Sequence, residues 1–218
     1  MTKSRDTADI LEDVKVDDNV TAVGQETLKD NTGIHNTGVG YRAMFNSSLS
    51  GSFNVALGNY NLYANTSGAS NTALGYQSLF SNTTASNNTA VGYQALYDNT
   101  TGTQNVAVGG NALDSNTTAS GNTAVGYDAA SAITTGVYNT CIGIDAGKAI
   151  TTADSNTMVG RFSGVNTTGT ANTFIGKNCG YTVTTGSKNT ILGQYNGNQN
   201  GLDIRTSSNN IVLSDGDG

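Results

Sequence analysis

Residues 71–80 read Asn71-Thr72-Ala73-Leu74-Gly75-Tyr76-Gln77-Ser78-Leu79-Phe80, and residues 88–97 read Asn88-Thr89-Ala90-Val91-Gly92-Tyr93-Gln94-Ala95-Leu96-Tyr97. The cassette returns at Asn122-Thr123-Ala124-Val125-Gly126 and, in looser form, along the whole chain. Its closing glycines are Gly24, Gly40, Gly58, Gly75, Gly92, Gly109, Gly126, Gly143, Gly160, Gly176 and Gly193. They lie 17 residues apart in seven of ten steps and 16 or 18 apart in the other three. A fixed period of this length marks a solenoid, in which one repeat forms one turn and neighbouring turns bury each other. The expected fold is all-β: a parallel β-roll, or β-solenoid, of about eleven turns of 17 residues. At ~4.8 Å per turn this makes a rod roughly 50 Å long.

Numbering each repeat from its asparagine, position 2 is β-branched and position 4 is Val, Leu or Ile in every copy, from Thr21 and Val23 to Ile211 and Leu213. Residues two apart share a strand face, so positions 2 and 4 are expected to form the core. Gly at position 5 permits a corner. A second short strand is expected after it, as in Tyr93–Tyr97, followed by a polar turn built on Asn-Thr-Thr or Asn-Thr-Ser triplets at 65–67, 82–84, 99–101 and 116–118. Their side chains can bond nearby backbone, which accounts for the recurrence better than N-glycosylation does.

Stacking in register would align the position-1 residues Asn36, Asn54, Asn71, Asn88, Asn105, Asn122, Asn139, Asn156, Asn172, Asn189 and Asn210 in an amide ladder. Phe45, Tyr63, Phe80 and Tyr97 at position 10 form a shorter aromatic column. Positions 3 and 9 exchange bulk along the chain. Ala56 goes with Leu62, Ala73 with Leu79, Ala90 with Leu96 and Ala107 with Leu113; later, Cys141 goes with Gly147, Met158 with Gly164, Phe174 with Gly180 and Ile191 with Gly197. Close-packed interiors conserve volume, so the two positions share one space. Because position 3 points away from positions 2 and 4, that space is expected at an interface between subunits. The chain then divides into an N-terminal arm at 1–19, a solenoid segment at 20–130 with small position 3, a second at 131–200 with bulky position 3 and Gly at position 9, and C-terminal capping strands at 201–218.

Composition narrows the function. The 218 residues include 28 Gly, no Pro and no Trp, carry a formal net charge of −6, and have no charged side chain between 43 and 97. Nucleic-acid binding needs clustered cations, so no nucleic-acid partner is expected. No apolar run is long enough to span a bilayer, and Met1–Asp6 has no apolar stretch behind it, so neither membrane insertion nor a secretory signal is expected. Cys141 and Cys179 stand two repeats apart, roughly 10 Å in backbone separation, too far for a disulfide. They read as buried free thiols.

The chemistry that a lone His35 permits is restricted. Asp128 and Asp145, both at position 7 of adjacent repeats, are the best carboxylate pair for glycoside hydrolysis, yet position 7 elsewhere is Gln77, Gln94 or Asn111 and reads as solvent-facing. Asp215 and Asp217 make a weak calcium site unless symmetry multiplies them. The expectation is no enzyme, no cofactor and no metal. Receptor-contact candidates are the position-6 residues Tyr41, Tyr76, Tyr93, Tyr127, Arg161 and Lys177, which follow the corner glycine.

The cassette Asn-Thr-Ala-Val-Gly-Tyr-x-Ala-Leu is similar to the head repeats of trimeric autotransporter adhesins. With its 17-residue period and Asn-Thr-Thr turns it more closely resembles tail-fibre proteins of tailed bacteriophages, as do the opening Met1–Ala8 and the closing segments Leu202–Thr206 and Asn209–Gly218. The resemblance implies a homotrimer of left-handed parallel β-rolls. It would sit on the virion as a tail appendage and mediate host attachment. Its partners would be other tail proteins, through residues 1–19, and a host cell-surface glycan or protein. A bacterial adhesin head is the alternative; the lack of a visible signal peptide or membrane anchor favours the phage. An ice-binding solenoid is a third class, suggested by recurring pairs such as Thr83-Thr84, Thr100-Thr101 and Thr117-Thr118.

Overall fold

A computed structural model describes residues 14–17, 20–29, 31–46 and 48–215. The first strand is β1 (Val14–Asp17), followed by the four-residue strands β2 (Val20–Val23) and β3 (Asn36–Val39). Nine three-residue strands come next: β4 (Val55–Leu57), β5 (Thr72–Leu74), β6 (Thr89–Val91), β7 (Val106–Val108), β8 (Thr123–Val125), β9 (Thr140–Ile142), β10 (Thr157–Val159), β11 (Thr173–Ile175) and β12 (Thr190–Leu192). A small antiparallel hairpin, β13 (Asn198–Gln199) and β14 (Leu202–Asp203), precedes the last strand, β15 (Ile211–Leu213).

Strands β2 to β12 and then β15 pair in parallel and in strict sequence order, each cassette on the next, as with Thr72↔Thr89, Ala73↔Ala90 and Leu74↔Val91. The chain is therefore a parallel β-solenoid, with turn 1 beginning at Val20 and a final partial turn 12 at Asn210. β15 closes the stack, as the degenerate last cassette implied. At the other end β1 pairs antiparallel with β2. Residues 14–17 thus belong to the sheet rather than to the arm expected at 1–19, of which residues 1–13 and 18–19 lie outside the described residues.

The inside and outside of the strand are opposite to the expectation. Position 3 is fully buried in every turn from Ala56 to Ile191, whereas positions 2 and 4 are half-buried or exposed. The branched residues at 2 and 4 suit an open pleated surface, and an interior this thin admits only one side chain per strand. Positions 3 and 9 do share a space, but it is the protein's own core. A Cβ at Gly147 would fall 2.5 Å from the Cys141 sulfur, one at Gly164 2.1 Å from the Met158 sulfur, and one at Gly180 2.4 Å from the Phe174 ring.

The second strand is not formed. Positions 7 and 9 are left-handed, with φ of 52° at Gln94 and 53° at Leu96. This places Ala95 and Leu96, adjacent in sequence, in the interior together; a strand would send them to opposite faces. The segment still bonds to both neighbouring turns, Gln94 N–H donating to the Tyr76 carbonyl and Leu96 N–H to that of Ala112, each at 3.0 Å. The corner glycine is required twice over at Gly92: φ is 140°, and a Cβ would lie 2.4 Å from the Gly109 carbonyl oxygen of the next turn.

Candidate functional site

Two asparagine ladders fix the register that every surface column inherits. At position 1, Asn71 accepts the Asn88 backbone N–H at 3.0 Å, and its amide donates to the Ala85 carbonyl at 2.8 Å. The pattern repeats turn after turn, from Asn54 on Asn36 to Asn210 on Asn189. The second ladder, unforeseen in the sequence, runs through the triplet asparagines at position 12. Asn82 donates to Asn65 at 2.9 Å, Asn99 to Asn82 at 3.0 Å, and Asn116 to Asn99 at 2.7 Å, all fully buried. That burial removes them as glycan acceptors in the folded chain. Each also closes its local turn, as Asn82 does onto the Ala85 carbonyl at 3.1 Å. The next residue, Thr83, donates its hydroxyl to the Thr100 carbonyl at 3.0 Å, and the equivalent threonines repeat this.

Outside this frame the position-6 candidates form a margin beside the strands. Tyr76 and Tyr93 stack in parallel with centroids 5.8 Å apart. Tyr41 reaches the series edge-on through Tyr60, a position-7 ring that the sequence reading missed. Tyr60 also meets Tyr63, joining this margin to the position-10 column, where Phe45, Tyr63, Phe80 and Tyr97 stack at 4.9–5.2 Å as expected. Stacked rings turn their faces on one another, so these columns present edges and hydroxyls rather than open faces. Tyr127 is separated from them by Gly110, whose absent Cβ leaves room for its ring. Arg161 and Lys177 continue the margin, both exposed. The structure thus groups Tyr41, Tyr76 and Tyr93, and sets Tyr127 and the two cations further along the rod. Two further exposed rings, Phe53 and Tyr138, line the opposite margin just before the strands, with His35 stacked on Phe53 at 5.1 Å. Their recurrence at the last position of a repeat was the available signal.

Asp128 and Asp145 do stand in adjacent turns, but Lys148 Nζ bridges them at 2.8 and 2.9 Å. The paired carboxylates hold the Lys148 ammonium above its ordinary value. This is an ion-pair clamp between turns and not two carboxyls poised for acid and base. Both cysteines are free and buried, and burial pushes each thiol up to about 12, which leaves them unreactive near neutrality. Asp203 pairs with Arg205 at 2.7 Å, and that bond lowers its carboxyl to about 2. Asp217 lies outside the described residues. Among the described residues no group of three or more His, Cys, Asp or Glu side chains gathers as a metal site.

The outward strand face is the largest regular surface. Its position-4 column runs Val23, Val39, Leu57, Leu74, Val91, Val108, Val125, Ile142, Val159, Ile175, Leu192 and Leu213, beside a column that is mostly threonine, with no charged residue in either. The fold and this surface define a ladder-locked parallel β-solenoid with one apolar outer stripe. Beyond that class, no protein-family model, curated protein or solved structure matches the chain.

Proposed function

We propose that this protein is a structural fibre and receptor-binding protein of a bacteriophage virion, a homotrimer that attaches the particle to its host and carries no catalytic site. The observation that supports it is the outward stripe: twelve aliphatic side chains in register, many more than a third exposed in the single chain. Soluble monomers rarely leave so long a patch uncovered, and a surface repeating at the strand spacing is best matched by another copy with the same rise. The subunit contact therefore falls on positions 2 and 4, in place of the 3/9 space. The contact margins at position 6 remain beside it, available to a host glycan or protein, and residues 1–13, ahead of β1, are the candidate attachment to other tail proteins. Sedimentation should give three times the chain mass, Leu74→Asp with Ile142→Asp should release monomer, and imaging of intact virions should show the protein as a tail appendage. A stable wild-type monomer would overturn the assembly, and absence from virions would overturn the localisation in favour of a bacterial adhesin head.

A second reading gains from the threonine column. Thr72 and Thr89, and past Val106 the run Thr123, Thr140 and Thr157, lie on the outward strand face with adjacent members at one strand spacing, exposed at Thr72 and half-buried at the others. An ice-binding surface would use it, and thermal hysteresis of the purified protein separates the two readings.

A further inference from the structure

Stacking the turns turns the linear order of charges into zones along the rod. Residues 43–97 carry none; residues 98–154 carry five aspartates, Asp98, Asp114, Asp128, Asp145 and Asp154, against Lys148 alone. Residues 155–202 then hold Arg161, Lys177 and Lys188 with no acid at all, so a chain of net charge −6 contains a +3 belt. All three cations are exposed and make no ion pair among the described residues.

The belt is built, not scattered. Arg161 and Lys177 are both position 6, in turns 9 and 10, and the Asn178 N–H bonds the Arg161 carbonyl at 2.9 Å. Their backbones are therefore neighbours at about 5 Å, the spacing of adjacent strands. Like charges side by side across a ladder destabilise it, and among the described residues no ion pair offsets this one. The Arg161 guanidinium is held over the Phe162 ring, 4.3 Å from its centroid, and that ring meets Tyr181 edge-on at 6.3 Å. Such a guanidinium is oriented in advance while its N–H groups stay free for a planar oxyanion. Lys188 lies on the opposite margin of the same two turns.

We propose that turns 9 and 10 form a binding belt for an acidic polysaccharide, with Arg161 and Lys177 as paired anchors. The acid-bearing turns 5–8 repel a polyanion and confine it to the belt; the carboxylate or sulfate groups of successive sugars answer the cation spacing. Three cations without further basic neighbours are a small footprint for nucleic acid, which favours the glycan. The assignment deepens the host-attachment reading and rests on it for its biological role, although the binding itself does not.

The test measures binding of the intact protein to alginate, dextran sulfate and neutral dextran, with single-stranded DNA as a further arm. The expected result is salt-sensitive binding to the two acidic polymers and none to dextran. Arg161→Ala with Lys177→Ala should weaken it at least tenfold and make the dependence of log affinity on log salt shallower by about two. The inference is overturned if the wild type ignores both acidic polymers, if the double variant binds equally well, or if dextran or DNA binds as tightly. It is also overturned if the double variant changes the sedimenting mass, for the belt would then be an assembly contact with the acidic turns of another copy. Conserved alginate binding in a protein that fails to attach to host cells would sink the attachment reading alone; attachment indifferent to the double variant would sink the belt's role alone.

Discussion

Turns 3–6 and turns 8–11 share a backbone path and a position-1 ladder, yet fill the interior by opposite means. In the first group Ala at position 3 faces a leucine at position 9 and a buried asparagine at position 12. In the second, Cys141, Met158 and Phe174 fill the space from the strand side against Gly147, Gly164 and Gly180, and position 12 becomes Ile150, Thr167 and Val183; in turn 11 Ile191 fills it, and Ile204, past the β13–β14 hairpin, is buried as well. Turn 7, with Ala124 and Ala130 both small, is the joint, and Ile133 in place of asparagine supplies the missing volume. One solenoid thus tolerates two interiors because the inter-turn hydrogen bonds, not the identity of any core residue, hold the path.

The largest expected effect comes from exchanging these interiors. Leu96→Gly empties the space opposite Ala90 and should cost about 2–5 kcal/mol, offset by about 1 kcal/mol because a glycine accepts the left-handed φ of 53° without strain. Adding Ala90→Met copies the arrangement of Met158 with Gly164, where a Cβ on the glycine would fall 2.1 Å from the sulfur, and should recover at least half of the loss in urea unfolding at fixed protein concentration. If the double variant is no more stable than Leu96→Gly alone, positions 3 and 9 do not exchange volume in this half.

How much of this was legible in the sequence follows from what repeats and what does not. Gly92, Asn88 and Leu96 recur at fixed offsets, so the turn length, the corner, the position-1 ladder and the volume exchange could be read directly. The facing of the strand could not. Thr-Ala-Val is apolar on both sides, and the larger Val91 drew the core assignment although the small Ala90 is the buried residue. The exchange itself held the corrective clue, since two positions that compensate each other must share a closed space. At the candidate site, the exposure of Tyr93 and Lys177 was readable from the corner glycine before them. The stacking of Tyr76 on Tyr93 and the axial zoning of charge depend on which turn lies on which, and gain meaning only with the register in hand.

The ladders should rank next. Asn88→Ala leaves the Asn105 N–H without its acceptor, while the Gly102 carbonyl keeps a second donor in Asn99 at 3.0 Å. One orphaned buried donor implies about 1–3 kcal/mol. At position 12, Asn82→Val breaks the ladder in its middle, whereas Asn116 sits at its end, above Ile133, with its Oδ1 buried and unpaired. Asn116→Val removes that orphan and should cost less than Asn82→Val, moving the boundary between the two interiors back by one turn. Hydrogen exchange of the Thr83 and Thr117 amides would read the two breaks separately; equal protection losses would deny the ladder its polarity.

The smallest effect is a pH dependence at the same boundary. Asp114 carries a buried, unpartnered Oδ1, and burial, with Asp128 and Asp98 adding their charge, raises its carboxyl above the ordinary value. Since the folded carboxyl holds its proton more tightly than the unfolded one, folding is favoured while the group is protonated. That contribution is present below the unfolded value near 3.8 and is lost as pH rises through the folded value. Asp114→Asn cannot ionise and keeps the shape, so it should stabilise the solenoid at pH 7 and lose the advantage as pH falls toward 3.8. A variant equally stabilised at both pH values would show that the benefit comes from the new amide's hydrogen bonds and not from the removed charge. Asn178 offers a control in turn 10, which carries no acidic residue of its own: Asn178→Asp should introduce no comparable penalty, because Arg161 and Lys177 stand beside it and favour the ionised form.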